Sequence, residues 1–175
     1  MRVKKIVLYL LALTVPGRSF SQDVIAWDSA TKLTWADFAG KADPESPYNA
    51  ATISGILYKM YPRSDGYSDS IIAVFYTSES WVKGRTESAL IHEQGHFDIT
   101  EIFARKLRKR LQEFVPKRGD LNHQLNLLYE EVESERDAME NLYDKETRHS
   151  ADAVRQARWN VTIRNELRAL EEFAN

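Results

Sequence analysis

Two of the chain's four histidines, His92 and His96, stand four residues apart in ALIHEQGHFDITEIFARKL, with Glu93 between them. On a helix that spacing puts both imidazoles on one face, a turn apart, where they can converge on one ion while the carboxylate projects beside them. The pattern is HExxH: two neutral ring nitrogens hold zinc, and the glutamate takes a proton from the water that the ion activates. The competing reading is a charged helix that carries two histidines without using them. Gly95 lies inside the same helix, where glycine costs about 1 kcal/mol relative to alanine. A broken local rule beside candidate ligands predicts a close neighbour, such as a strand or a substrate backbone, with a simple bend as the alternative.

A hydrolytic zinc site takes three protein ligands and keeps one position for water. The third must come from elsewhere, and the remaining histidines are His123 and His149. If the helices on either side of Pro116 to Asp120 form an antiparallel hairpin, a rise of about 1.5 Å per residue sets His92 and His96 level with Met139 to Tyr143. His123 then falls about 25 Å or more away, at the closed end, and becomes a surface or capping residue. His149 is within reach if the chain turns back after NLYDKETRHS. Glu133, Glu135, Glu140, Asp144 and Glu146 lie near the same level, so spacing leaves both a histidine and a carboxylate open as the third ligand. Asp98, Asp144 and Thr147 could orient a ligand through its second ring nitrogen, or merely shape a helix surface and a helix end. Tyr143 is a candidate catalytic donor to the oxyanion of a tetrahedral intermediate, with burial in the core as its alternative. Gln156 and Trp159, one turn apart, could line a cleft, although packing suits Trp159 better.

Elements that could position these residues follow from periodicity. ATISGILYKMYP (Ala51 to Pro62) and SIIAVFYTSESWV (Ser70 to Val82) are rich in β-branched and aromatic residues, and Arg63-Ser64-Asp65-Gly66 between them signals a turn, which predicts an antiparallel hairpin. The preceding LTWADFAGKADPESPYNAA is too rich in Gly, Pro and Asp for long regular structure, so Trp35 and Phe38 are expected as buried plugs in a loop. From Thr86 onward the period becomes helical. Ile99, Phe103, Leu107, Leu111 and Phe114 mark one helix. Leu121, Leu125, Leu128, Val132, Met139 and Leu142 mark a second, and Trp159, Ile163, Leu167 and Leu170 a third. Pro116 and Gly119 end the first, Asp120 caps the second and Ser150 caps the third. The expected fold is α+β, a small antiparallel sheet packed against a helical hairpin plus a third helix, with the ion between the first helix and the start of the third.

The 24 Lys and Arg and 26 Asp and Glu are interspersed, for a net charge of -2, and nothing in that balance favours nucleic acid as a partner. RKLRKR and EEVESERD are expected as solvated helix faces, and the sequon Asn160-Val161-Thr162, within a helical pattern, as chance. At the start, MRVKKIVLYLLALTVPGRSFSQD places Arg2, Lys4 and Lys5 before an apolar run from Ile6 to Val15 and small residues Ser19 and Ser21. That is the form of a secretory signal cleaved after Ser21; the run falls short of the roughly 20 residues a spanning helix needs. Residues 1–21 are therefore expected as a leader and 22–175 as a single domain, exported to the periplasm or beyond, with no stable membrane insertion after cleavage. The chain has no cysteine, so packing and any bound metal must supply the stability that disulfides give other exported domains.

HEQGHFDI, followed in the later part of the chain by YDKETRH, together with LTWADFAG and AATISGI upstream, resembles the DUF922 family of predicted secreted zinc-dependent proteases. The likeness covers essentially the whole mature chain, and the paired motifs HExGHxDI and YDxxTxHG are far more specific than HExxH alone. It implies a zincin-like fold, zinc as cofactor, a peptide or protein substrate, and His149 as the third ligand. Ser150 stands where the family usually has glycine, a departure that bears on the turn carrying His149. The expected function is zinc-dependent hydrolysis of a peptide bond: His92, His96 and His149 hold the ion, and Glu93 passes the water's proton to the leaving amine. An amide hydrolase of the cell envelope would use the same ligands in another cleft. A non-catalytic, metal-stabilised binding domain is the remaining alternative, and a fourth protein ligand would favour it. Iron, nickel or manganese also suit imidazole ligands.

Overall fold

The β-branched and aromatic runs form the expected antiparallel hairpin, Ser54–Arg63 (β3) against Gly66–Tyr76 (β4), in register from Ser54 opposite Phe75 to Arg63 opposite Gly66. The computed structural model describes residues 24–30, 32–63 and 66–175; the expected leader and the turn residues Ser64 and Asp65 lie outside them. Val24–Ala26 (β1) pairs with the other edge of β4, giving the sheet order β1-β4-β3. Each run is longer than its strand. The chain bends at Thr52-Ile53 and again over residues 77–80, so Ala50–Ala51 (β2) pairs with Trp81–Val82 (β5) in a separate two-stranded ladder. Ser80 joins the two corners: fully buried, its Oγ accepts the Ile53 N–H at 2.9 Å.

Three helices follow, Glu87–Gln112 (α1), Leu121–Thr147 (α2) and Ala153–Ala169 (α3), with a short 3-10 turn at Glu171–Phe173. Thr86 caps α1 by accepting the Ala89 N–H, and Asp120 caps α2 through Asn122 N. The third cap differs from expectation: Asp152, not Ser150, accepts the Arg155 N–H that starts α3. An N-cap needs extended backbone, which Asp152 has at φ -101 and ψ 92, whereas Ser150 is left-handed at φ 72.

Helix α1 is central, packed on the sheet, α2 and α3. Its Ile99, Ile102, Phe103, Leu107 and Leu111 form one core with Ile56, Ile71 and Ala73 of the sheet, Leu125, Val132 and Tyr143 of α2, and Trp159 and Ile163 of α3. Each large apolar side chain so buried stabilises the fold by about 1.5–3 kcal/mol. Leu142, expected in this core, is 47% exposed; Val132, Met139 and Tyr143 keep the inward spacing of seven and four, and Leu142 falls outside it. A second cluster gathers Leu33, Phe38, Phe75 and Phe97. Phe38 is the buried plug expected of its loop, and the partly buried Trp35 packs on it with ring centroids 5.0 Å apart. Among the described residues no helix is long and apolar enough to cross a membrane.

Candidate metal centre

Helical spacing carries His92 and His96 to the face of α1 that meets the end of α2. There the Nε2 atoms of both rings lie 3.0 Å from one oxygen, Oδ1 of Asp144. His149 reaches the same oxygen from beyond the helix. Helix α2 stops at Thr147, and Arg148, His149 and Ser150 run left-handed, with φ of 52, 50 and 72. The turn is tied by His149 N–H to Asp144 O at 3.1 Å and by Asp152 N–H to Thr147 O at 2.9 Å. It folds the chain back so that His149 Nδ1 stands 3.3 Å from Asp144 Oδ1. Tyr48, from the loop before β2, packs on the His149 ring with centroids 4.4 Å apart.

The structure thus brings His92, His96 and His149 together. His123 is exposed in the first turn of α2, at the opposite end of that helix from Asp144. Of the five carboxylates that spacing left open, four have other partners. Glu133 and Glu140 bind Arg136, Glu135 binds Arg110, and Glu146 accepts the Trp159 indole N–H. Asp144 alone of the five makes direct polar contact with the imidazoles, and it is the group that spacing did not single out. Asp98 is engaged elsewhere, accepting from Trp27 Nε1 at 2.9 Å and Gln94 Nε2 at 2.8 Å.

Imidazole nitrogens and a carboxylate oxygen are donors that suit a zinc, iron, nickel or manganese ion, and His96, although it meets Asp144, stands outside the set close enough to share one. The ligand atoms of His92, Asp144 and His149 all lie within 4.8 Å of one another, the grouping able to hold a metal. Without an ion, protons fill the same role. Burial lowers the affinity of His96 for its proton, but the hydrogen bond to Asp144 and the charges of Glu140, Asp144 and Glu93 more than offset it, and its pKa is pushed up to about 9. Burial raises the Asp144 pKa, yet hydrogen bonds from His92 and His96 hold it well below the usual carboxylate range.

Behind the rings, Gly95 has the close neighbour its presence predicts, and that neighbour is neither strand nor substrate. A Cβ at this position would crowd the hydroxyl of Tyr143 and lie 2.7 Å from its Cζ. Tyr143 is fully buried and donates its hydroxyl to His92 O at 3.0 Å. The rings of His92 and Tyr143 stack at 4.6 Å. From α3, buried Gln156 meets His92 Nδ1 through Oε1 at 3.1 Å, and Trp159 packs on Tyr143. The only hint of the Gln156 contact in the sequence is its place one turn into the helix that follows His149.

No curated protein and no solved structure matches the chain. The family model described as a bacterial protein of unknown function, DUF922, matches residues 22–150, a span that includes all three imidazoles and Asp144. The chain belongs to the DUF922 family.

Proposed function

We propose that the chain is an exported, metal-dependent hydrolase, with zinc as its ion and a peptide bond as its target. His92, His96 and His149 would hold the ion, with Asp144 beside them. When bound, zinc supplies a Lewis acid that polarises a carbonyl and lowers the pKa of water. The observation that carries the reading is Glu93. It is 5% exposed, adjacent in sequence to His92, and its carboxylate has no hydrogen bond or ion pair among the described residues. Carboxylates on residues this buried are ordinarily paired, whereas the Glu93 oxygens keep contact with solvent instead. One left free, with its charge felt at His96, fits a base kept ready for a proton, taken from the attacking water and given to the leaving amine. Tyr143, with its hydroxyl engaged by His92 O and Gln156, is better placed to brace α1 against α2 than to meet an oxyanion.

Glu93→Gln tests the reading. Metal content and thermal stability should stay near wild type while hydrolysis of a responsive peptide falls by roughly a hundredfold or more. The same screen includes amides of the cell envelope, the alternative target. A wild-type protein that holds its metal but cleaves neither class, with Glu93→Gln altering only stability, would leave the non-catalytic reading in place. Asp144 is the observation that favours that second reading, since it adds a fourth protein donor and structural zinc sites are closed by four.

A further inference from the structure

Donors and acceptors around His92 can be arranged in one way only. The backbone carbonyl of His92 can only accept, so the Tyr143 hydroxyl 3.0 Å away gives its single hydrogen there. Toward Gln156 that hydroxyl is then an acceptor, which turns the amide nitrogen of Gln156 to it, at 2.7 Å. The second hydrogen of the same nitrogen goes to Asn160 Oδ1 at 2.8 Å. Gln156 therefore presents Oε1 to His92 Nδ1, at 3.1 Å, and an amide oxygen only accepts. Nδ1 must carry hydrogen. The path begins at the carbonyl of His92 and closes on its own ring. Thr147 gives the same answer independently: its hydroxyl donates to Tyr143 O at 2.7 Å, so the oxygen it turns to Nδ1, at 3.4 Å, is an acceptor too.

We infer that Gln156 is a positioning residue which, through this closed loop with Tyr143, holds His92 with hydrogen on Nδ1, so that Nε2, which donates to Asp144 when no ion is bound, is the nitrogen given over to a metal ion. The inference rests on the metal reading above and deepens it. A ligating imidazole needs its second nitrogen to donate to a fixed acceptor, which sets both tautomer and ring orientation. Gln156 is 6% exposed and Tyr143 and Thr147 are fully buried, so water is poorly placed to replace a lost partner. Gly95 belongs to the device, because a Cβ there would displace Tyr143 from the carbonyl that sets the direction of the loop. Gln156 also lies beyond residues 22–150, so the third helix supplies a part that the family match does not contain.

Zinc titration and nitrogen-15 NMR of the His92 ring, on the purified protein with and without zinc, test the inference. The wild type should show a slowly exchanging hydrogen on His92 Nδ1 in both states. Gln156→Leu should lose that slow exchange and bind zinc roughly 10- to 100-fold more weakly. Gln156→Glu, which keeps an acceptor for Nδ1, should recover most of the affinity; if the leucine variant does not fold, the wild-type Nδ1 signal decides. Wild-type zinc affinity in Gln156→Leu, or a bare Nδ1 in the wild type, would overturn the inference while leaving the metal reading intact. A protonated Nδ1 in a protein that takes up no zinc would overturn the metal reading itself, and with it the purpose assigned to the loop.

Discussion

Two carboxylates are each ringed by nitrogen donors, Asp144 from the end of α2 against the first turns of α1 and Glu101 within the middle of α1. Around Asp144 the donors are three imidazoles. Around Glu101, 3% exposed, they are guanidinium groups: Arg105 Nε at 2.9 Å and an Arg108 nitrogen at 3.1 Å. Those arginines reach further, to Leu167 O at 2.6 Å, Ile71 O at 2.8 Å and Phe173 O at 2.8 Å, and so tie α1 to α3, β4 and the final turn. A guanidinium keeps its charge at every pH a protein survives and has no lone pair for a metal. An imidazole can surrender a proton and accept an ion in its place. Donor chemistry therefore makes one cluster a permanent clamp and the other an exchangeable centre, although the two share an architecture.

Breaking the clamp should have the largest effect. Glu101→Ala strands two buried guanidinium groups and should cost about 3–5 kcal/mol of stability in urea unfolding, with zinc affinity of the folded fraction unchanged. A loss under about 1 kcal/mol would show that water or the carbonyls alone satisfy the arginines. At the exchangeable centre, His149→Ala should weaken zinc by more than the roughly 10- to 100-fold typical of an outer partner. His123→Ala should leave zinc affinity nearly unchanged; equal losses in titrations of the two variants would end the assignment.

A pH series separates the clusters further. His96 holds its proton up to about 9 in the folded, zinc-free protein, against 6.5 as its ordinary value. Its contribution to stability is complete below pH 6.5 and is lost as pH rises through 9. Thermal melts in chelator should fall across that interval, while zinc affinity rises over it because binding displaces the same proton. A flat melting profile would refute this assignment. The smallest change should come from Ser150→Gly, which relieves a left-handed serine at φ 72 and should raise stability by about 1 kcal/mol in the same melts.

What the sequence reveals here is mostly local. HExxH, the helical periods and the strand pairing of the hairpin are matters of neighbouring residues, and each appears in the place its spacing predicts. Asp144 is not legible in that way. Its four rivals are set aside by Arg136, Arg110 and Trp159, partners that only the packed helices bring within reach. The misplaced cap at Ser150 has a similar origin. Three left-handed residues in succession follow no propensity pattern, so a serine before a helical period looked like a cap when it was part of a turn. Gln156 was legible as a residue near the site, but its bond to His92 depends on how α3 docks.

The left-handed turn also bears on the rate at which an ion would come and go. His92 and His96 are fixed to the long central helix, one stacked on Tyr143 and the other edge-on to it, whereas His149 has a 43% exposed side chain on a backbone conformation that local preference opposes. Of the three imidazoles, His149 can swing away at the least cost. Departure of the ion would begin there, and the lifetime of the loaded state would be set by three turn residues more than by the two histidines of the HExxH helix.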